Sequence, residues 1–211
     1  MQRSSGSRFF PLFISFVVIV IIIVAIVSIS RAIFSGTQKT DDTPKQDTGR
    51  TALLNTGENH SVSLTVRGPI VAQEDFYSYE IAVSPSKRTM DVYSGYLDDV
   101  KKSKNLDNNE QAYEQFVYAL DKANMMKGTM PSDDAKNDLR GICATGYVYE
   151  YAALVDEKPA KHLWASTCSG SKGTLDASVS QLNNLFFAQV PGSNNLIPFN
   201  HSSVDIEQLH F

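Results

Sequence analysis

From Phe9 to Ser30 the chain carries no charged side chain, and Phe16 to Val27 is almost wholly Val and Ile. A run of about 22 such residues matches a bilayer core, which about 20 helical residues cross. A cleaved signal peptide would have a shorter apolar core, about 7 to 15 residues, and a small-residue cleavage site. Ser28-Ile29-Ser30 and Ser30-Arg31-Ala32 are poor sites of that kind, and no cysteine follows to take a lipid. A pilin-like start would need a glutamate just inside the helix, and the first acid is Asp41. The expectation is an uncleaved transmembrane helix over 9–30, with a signal peptide as the alternative.

Arg3 and Arg8 precede this helix without an acid, whereas Arg31, Lys39 and Lys45 beyond it are mixed with Asp41, Asp42 and Asp47. With no second apolar span, the flanks favour a cytoplasmic N-terminus over 1–8 and an extracytoplasmic remainder. Of 19 basic residues two lie before the helix, so about 17 face 23 acids beyond it, a net charge of about −6. That balance argues against nucleic acid as a partner, since phosphate binding wants a basic stripe and the patch Lys101, Lys102, Lys104 is flanked by acids.

Residues 31–60 are mostly small and polar, too poor in apolar side chains to repay folding, and read as a flexible stalk. Folding is expected from residue 61 to 192. Val62, Leu64 and Val66 alternate with Ser61, Ser63, Thr65 and Arg67, the period of a half-buried strand. Tyr77, Tyr79, Ile81 and Val83 repeat it, and Ser84-Pro85-Ser86-Lys87 turns the chain towards Met90, Val92 and Tyr93. Tyr113, Phe116, Val117 and Leu120 have helical spacing, with Asn108 and Gln111 as a capping box and Gly128 as a stop. A second hairpin follows: Tyr147 to Val155, the turn Asp156-Glu157-Lys158-Pro159, then Leu163 to Cys168. Leu175, Val179, Leu182 and Phe186 predict a last helix from about Thr174 to Pro191-Gly192, and 193–211 a loose tail. The fold class is α+β: an antiparallel sheet built from two hairpins with helices packed on one face, preceded by one transmembrane helix.

Cys143 and Cys168 flank the second hairpin, so its folding brings them together as a disulfide suited to an oxidising compartment. Closing a loop of about 25 residues would contribute about 3.5 kcal/mol; the alternative is two buried thiols. No Cys or His spacing suggests a metal and no motif asks for a cofactor, so none is expected.

Ser169, Gly170, Ser171, Lys172, Gly173 and Thr174 form a candidate anion or ligand loop, because they run into the expected helix N-terminus. A plain capping loop explains them too, since the spacing departs from a phosphate loop. Ser169 and Lys172 also fit S-x-x-K, as do Ser84 and Lys87, which raises an extracytoplasmic serine hydrolase as the alternative function; the companion motifs are missing. Tyr147, Tyr149, Tyr151 and Trp164 are a candidate interaction face for an envelope protein or glycan, or else core beneath the helices. Asn59-His60-Ser61 and Asn200-His201-Ser202 are glycosylation sequons in a eukaryotic source only.

Val66-Arg67-Gly68-Pro69-Ile70-Val71-Ala72, Arg140-Gly141-Ile142-Cys143-Ala144-Thr145-Gly146 and Leu163-Trp164-Ala165-Ser166-Thr167-Cys168 together resemble uncharacterised single-pass membrane proteins of the Saccharibacteria, small bacteria. The resemblance covers about residues 60 to 190. It implies a bacterial cell membrane and carries no assigned activity. The functional expectation is a membrane-anchored binding or envelope-assembly protein, non-enzymatic, held in the lipid bilayer by residues 9–30.

Overall fold

The computed structural model describes residues 47–96, 99–130 and 138–197. The chain divides into two compact units, Met1–Lys45 and Gln46–Phe211, and all described residues belong to the second. The membrane helix expected over 9–30 lies outside the described residues, as do most of the stalk and the end of the tail. No helix among the described residues is long and apolar enough to cross a membrane.

Six strands form one antiparallel sheet: β1 (His60–Arg67), β2 (Tyr77–Val83), β3 (Lys87–Ser94), β4 (Asp99–Asp107), β5 (Val148–Val155) and β6 (Lys158–Ser166), in the order β4-β3-β2-β1-β5-β6. The helices are α1 (Thr48–Leu53), α2 (Glu110–Lys122) and α3 (Val179–Gln189). The α+β class and the two hairpins, β2–β3 and β5–β6, thus match the sequence reading. The second hairpin closes on Asp156 and Glu157, both at positive φ, so Lys158 and Pro159 belong to β6 and not to the turn.

Alternation fixes the faces. Val62, Leu64 and Val66 of β1 bury beside Tyr79, Ile81 and Val83 of β2, Met90 and Val92 of β3, and Tyr149, Tyr151 and Ala153 of β5. Against this face lie Tyr113, Phe116, Val117 and Leu120 of α2 with Leu182 and Phe186 of α3. Phe186 meets Phe116 edge-on at 5.3 Å between centroids and Tyr151 at 6.2 Å. The Tyr151 hydroxyl donates to Asn183 Oδ1 at 2.7 Å, which satisfies a polar tip carried into the core.

Several elements differ from the sequence reading. The N-cap of α2 is Asn109, whose side chain accepts from the Ala112 amide, while Asn108 donates from its side chain to the Ser84 carbonyl. The stop comes earlier than Gly128, with Asn124 at φ 61° just past the helix end. Strand β4 was hidden by its lysines: Lys102 and Lys104 face the helix side opposite Val92 and Met90, and their ammonium groups donate to the carbonyls of Asn195 and Pro191. With Arg88 donating to the Gln189 carbonyl at 3.1 Å, three cations thus capture carbonyls at and just beyond the end of α3, the favourable pole for positive charge. They also hold down residues 193–197, expected as the start of a tail, where Ser193 and Ile197 are buried.

The stalk ends sooner than residue 60. Asp47 caps α1 by accepting from the Gly49 and Arg50 amides, and Lys161 donates to the Asp47 carboxylate at 3.1 Å. Ala52 and Leu53 enter the main core, Leu53 with no exposure. Leu53→Ala is therefore expected to cost about 2 to 5 kcal/mol in chemical denaturation. A change within about 0.5 kcal/mol, the mark of a surface position, would return this segment to the stalk.

Candidate functional site

The α-helices pack on one face of the sheet, and the other, with Ser63, Ser78 and Ala152 buried on it, carries no α-helix among the described residues. That open face carries Ser61, Ser63, Thr65 and Arg67 of β1, the positions that alternate with the core valines. In register across it run Asp91, Glu80, Thr65, Glu150 and Trp164, one residue from each of β3, β2, β1, β5 and β6. Glu150 is held from two sides: Arg67 Nε lies 2.6 Å from Oε1, and His162 Nε2 donates to Oε2 at 3.0 Å. Its side chain keeps only 12% exposure, so a low local dielectric strengthens the pairing.

Glu80 and Asp91 differ. They stand directly opposite each other on β2 and β3, and neither makes an ion pair or hydrogen bond among the described residues. Burial holds the Glu80 carboxyl above the usual carboxylate range, and Asp91 and Glu150 push it the same way. Tyr93, on the same face, has its phenol raised by burial and then by Glu80 and Asp91, so it shares their field. Like charges opposed across a strand pair destabilise a sheet.

One end of this face is capped. Cys143 and Cys168 form the expected disulfide, with Cα atoms 5.5 Å apart, and it ties the segment after Leu139 to the end of β6. Beneath it Leu139, Val148 and Trp164 make a small second core, with Ile142 packed alongside. Gly146 fits where any side chain would collide, since a Cβ there would come within 2.9 Å of Cys143 Sγ and 2.2 Å of Thr167 Oγ1.

The aromatic face expected from Tyr147, Tyr149, Tyr151 and Trp164 is not a surface. Tyr149 and Tyr151 are buried under the helices, Tyr147 packs partly buried against the same core, and burial pushes the Tyr149 phenol to about 12. Trp164 pairs with Glu150 and so belongs to the opposite face, inside the small second core. The residue that matters between the tyrosines is Glu150, which the aromatic pattern conceals.

The loop of Ser169, Gly170, Ser171, Lys172, Gly173 and Thr174 does not reach a helix N-terminus, because α3 starts at Val179 with Ser178 as its cap. It instead straps the edge of β6: Gly173 pairs with Ala165, and the Trp164 carbonyl accepts from the Thr174 and Leu175 amides. Gly173 is at φ +97°, and a Cβ there would meet the Trp164 carbonyl oxygen at 2.2 Å, so the strap demands glycine. Ser169 and Lys172 lie outside any helix, exposed, without the one-turn helical spacing a serine–lysine pair needs. Gly173 and Thr174 do line a shallow cleft of about 550 Å³ with Lys127 and Asp176, whose charges are paired at 2.8 Å.

Two outcomes test this geometry. Cys143→Ser with Cys168→Ser should lower stability by about 2 to 4 kcal/mol, and reduction of wild type should red-shift the emission of Trp164, the one tryptophan, as its cover loosens; an unchanged spectrum would detach the bridge from the small core. For Glu80, a folded-state pKa above the ordinary 4.5 means that its contribution is most favourable when protonated, complete below about pH 4.5 and lost as pH rises through the folded value. Glu80→Gln should then raise the melting temperature at neutral pH, with the gain vanishing near pH 4. No protein-family model matches the chain, nor does any curated protein.

Proposed function

We propose that this protein is a non-catalytic binding module, anchored in a cell membrane by residues 9–30 and displayed on the extracytoplasmic side, where the open face of the sheet meets an envelope partner. The observation that carries the reading is the contrast between the two faces. A sheet needs only one face in a core, and the other is free to be merely solvated; here it holds an ordered Arg67–Glu150–His162 triad and an opposed carboxylate pair. Support for the compartment comes from the disulfide, which persists in oxidising surroundings, and from the long uncharged stretch before Arg31. The resemblance to Saccharibacterial membrane proteins is consistent with a bacterial envelope. The serine hydrolase alternative has no support from the placement of Ser169 and Lys172, both in an exposed strap.

Site-specific photo-cross-linking in intact cells tests the reading. A benzophenone side chain at Thr65, the centre of the open face, should yield a discrete cross-linked species. The same group at Tyr118, exposed on α2 on the other side of the sheet, should not. Cross-links from Tyr118 alone would move the binding surface to the helices, and protection of the domain from protease added outside the cells would remove the proposed topology.

A further inference from the structure

Four side chains on the open face form a two-by-two block on neighbouring strands. Ser78 stands opposite Tyr93 and Glu80 opposite Asp91, with Ser78 and Glu80 successive on one strand's outer side and Asp91 and Tyr93 on the other's. Such positions sit about 5 Å apart across the strands and about 7 Å along them. The block thus offers two carboxylates, a hydroxyl and an aromatic ring within the span of one side-chain head group.

Several features of this block have no structural use. Arg67 and His162 both go to Glu150, Lys101 on the neighbouring edge strand lies 3.6 Å from Asp99, and no cation pairs with Glu80 or Asp91 among the described residues, which leaves the two acids to repel each other. Ser78 has no exposed surface, yet its Oγ has no hydrogen-bond partner among the described residues. A buried hydroxyl left unpaired beside two uncompensated acids is costly twice over, once in desolvation and once in repulsion. An arriving cation with N–H donors relieves the repulsion directly, and reaches the Ser78 hydroxyl as the side chains over it move aside.

We infer that Ser78, Glu80, Asp91 and Tyr93 form a receptor for the ammonium or guanidinium head of a basic side chain presented by a partner polypeptide. The inference rests on the open-face reading above and adds the chemistry recognised there. Donors on the head group supply hydrogen bonds to both carboxylates, and the Tyr93 ring offers its negative face to the charge. A hard divalent metal is a poorer occupant: it takes six or more oxygens, and no group of three acidic, His or Cys side chains among the described residues is placed to hold an ion. A basic side chain standing out from a polypeptide also suits an open sheet surface better than a small molecule, which wants a concave pocket. The net charge of −4 adds general attraction for such a partner.

The test uses the full chain in non-ionic detergent and three fluorescent Gly/Ser peptides that differ at one position: Arg, Lys or the neutral isostere citrulline. In fluorescence anisotropy the Arg or Lys peptide should bind saturably and the citrulline peptide should not. Glu80→Gln and Asp91→Asn should each weaken binding about tenfold with the fold intact by melting temperature. Asp156→Asn, which removes the same charge in the β5–β6 turn, should change it less than about twofold. Absence of binding, equal binding of citrulline, or equal loss in Asp156→Asn would overturn the receptor, as would displacement of the peptide by stoichiometric calcium. Should cross-links from Thr65 persist in the Glu80→Gln, Asp91→Asn double variant, the open face would stand as the partner surface and only the basic-group assignment would fall.

Discussion

Strand β1 hydrogen-bonds on both sides, to β2 and to β5, and its strict alternation decides which face of the whole sheet is dry. Because side chains repeat with period two, a slip of one residue would send Val62, Leu64 and Val66 into water and bring Thr65 and Arg67 under the helices. Both partner strands carry matching alternation, so the registers Leu64–Ile81 and Leu64–Tyr151 reinforce each other. The helices α2 and α3 then have one apolar surface to cover, and Phe116 and Phe186 meet over it.

That dependence explains what could be read from the sequence. Strands with one dry face announce themselves by alternation, and α2 by a stripe whose four members all bury. Strand β4 does neither. It lies at an edge, where lysines discourage pairing with other chains, and the heads of its inward Lys102 and Lys104 reach carbonyls beyond α3. The short helix α1 is equally silent, since six residues give too little periodicity and the segment owes its order to Asp47, Lys161 and the burial of Leu53. At α3 the pattern was too generous: Leu175 fits the helical spacing, but its amide is already committed to the Trp164 carbonyl in the strap along β6.

The candidate site was legible only in its parts. Cysteine spacing around a hairpin was enough to foresee the bridge. Tyr147, Tyr149 and Tyr151 marked a face correctly, yet periodicity cannot say which side of a sheet the helices will occupy, and here they took the tyrosine side. Everything of chemical interest lies at the intervening positions. The opposition of Glu80 and Asp91 could have been found earlier, because the tight turn at Ser84 and Lys87, closed by the Ser84 amide on the Lys87 carbonyl, fixes the pairing of the strands it joins.

The open face mixes two kinds of polar arrangement, and the difference between them is informative. Arg67 and His162 both stand at ion-pair distance from Glu150, so the charge of that carboxylate is balanced within the chain. Glu80 and Asp91 have no such closure, although Arg67 stands only one strand from Ser78 and two from Tyr93. Replacing either acid by an amide would remove the repulsion without changing shape. A sheet that has already solved its packing on the other side has no structural reason to keep the pair. The receptor proposed above gives this left-over charge a use, as half of an interaction whose other half would arrive from outside the chain.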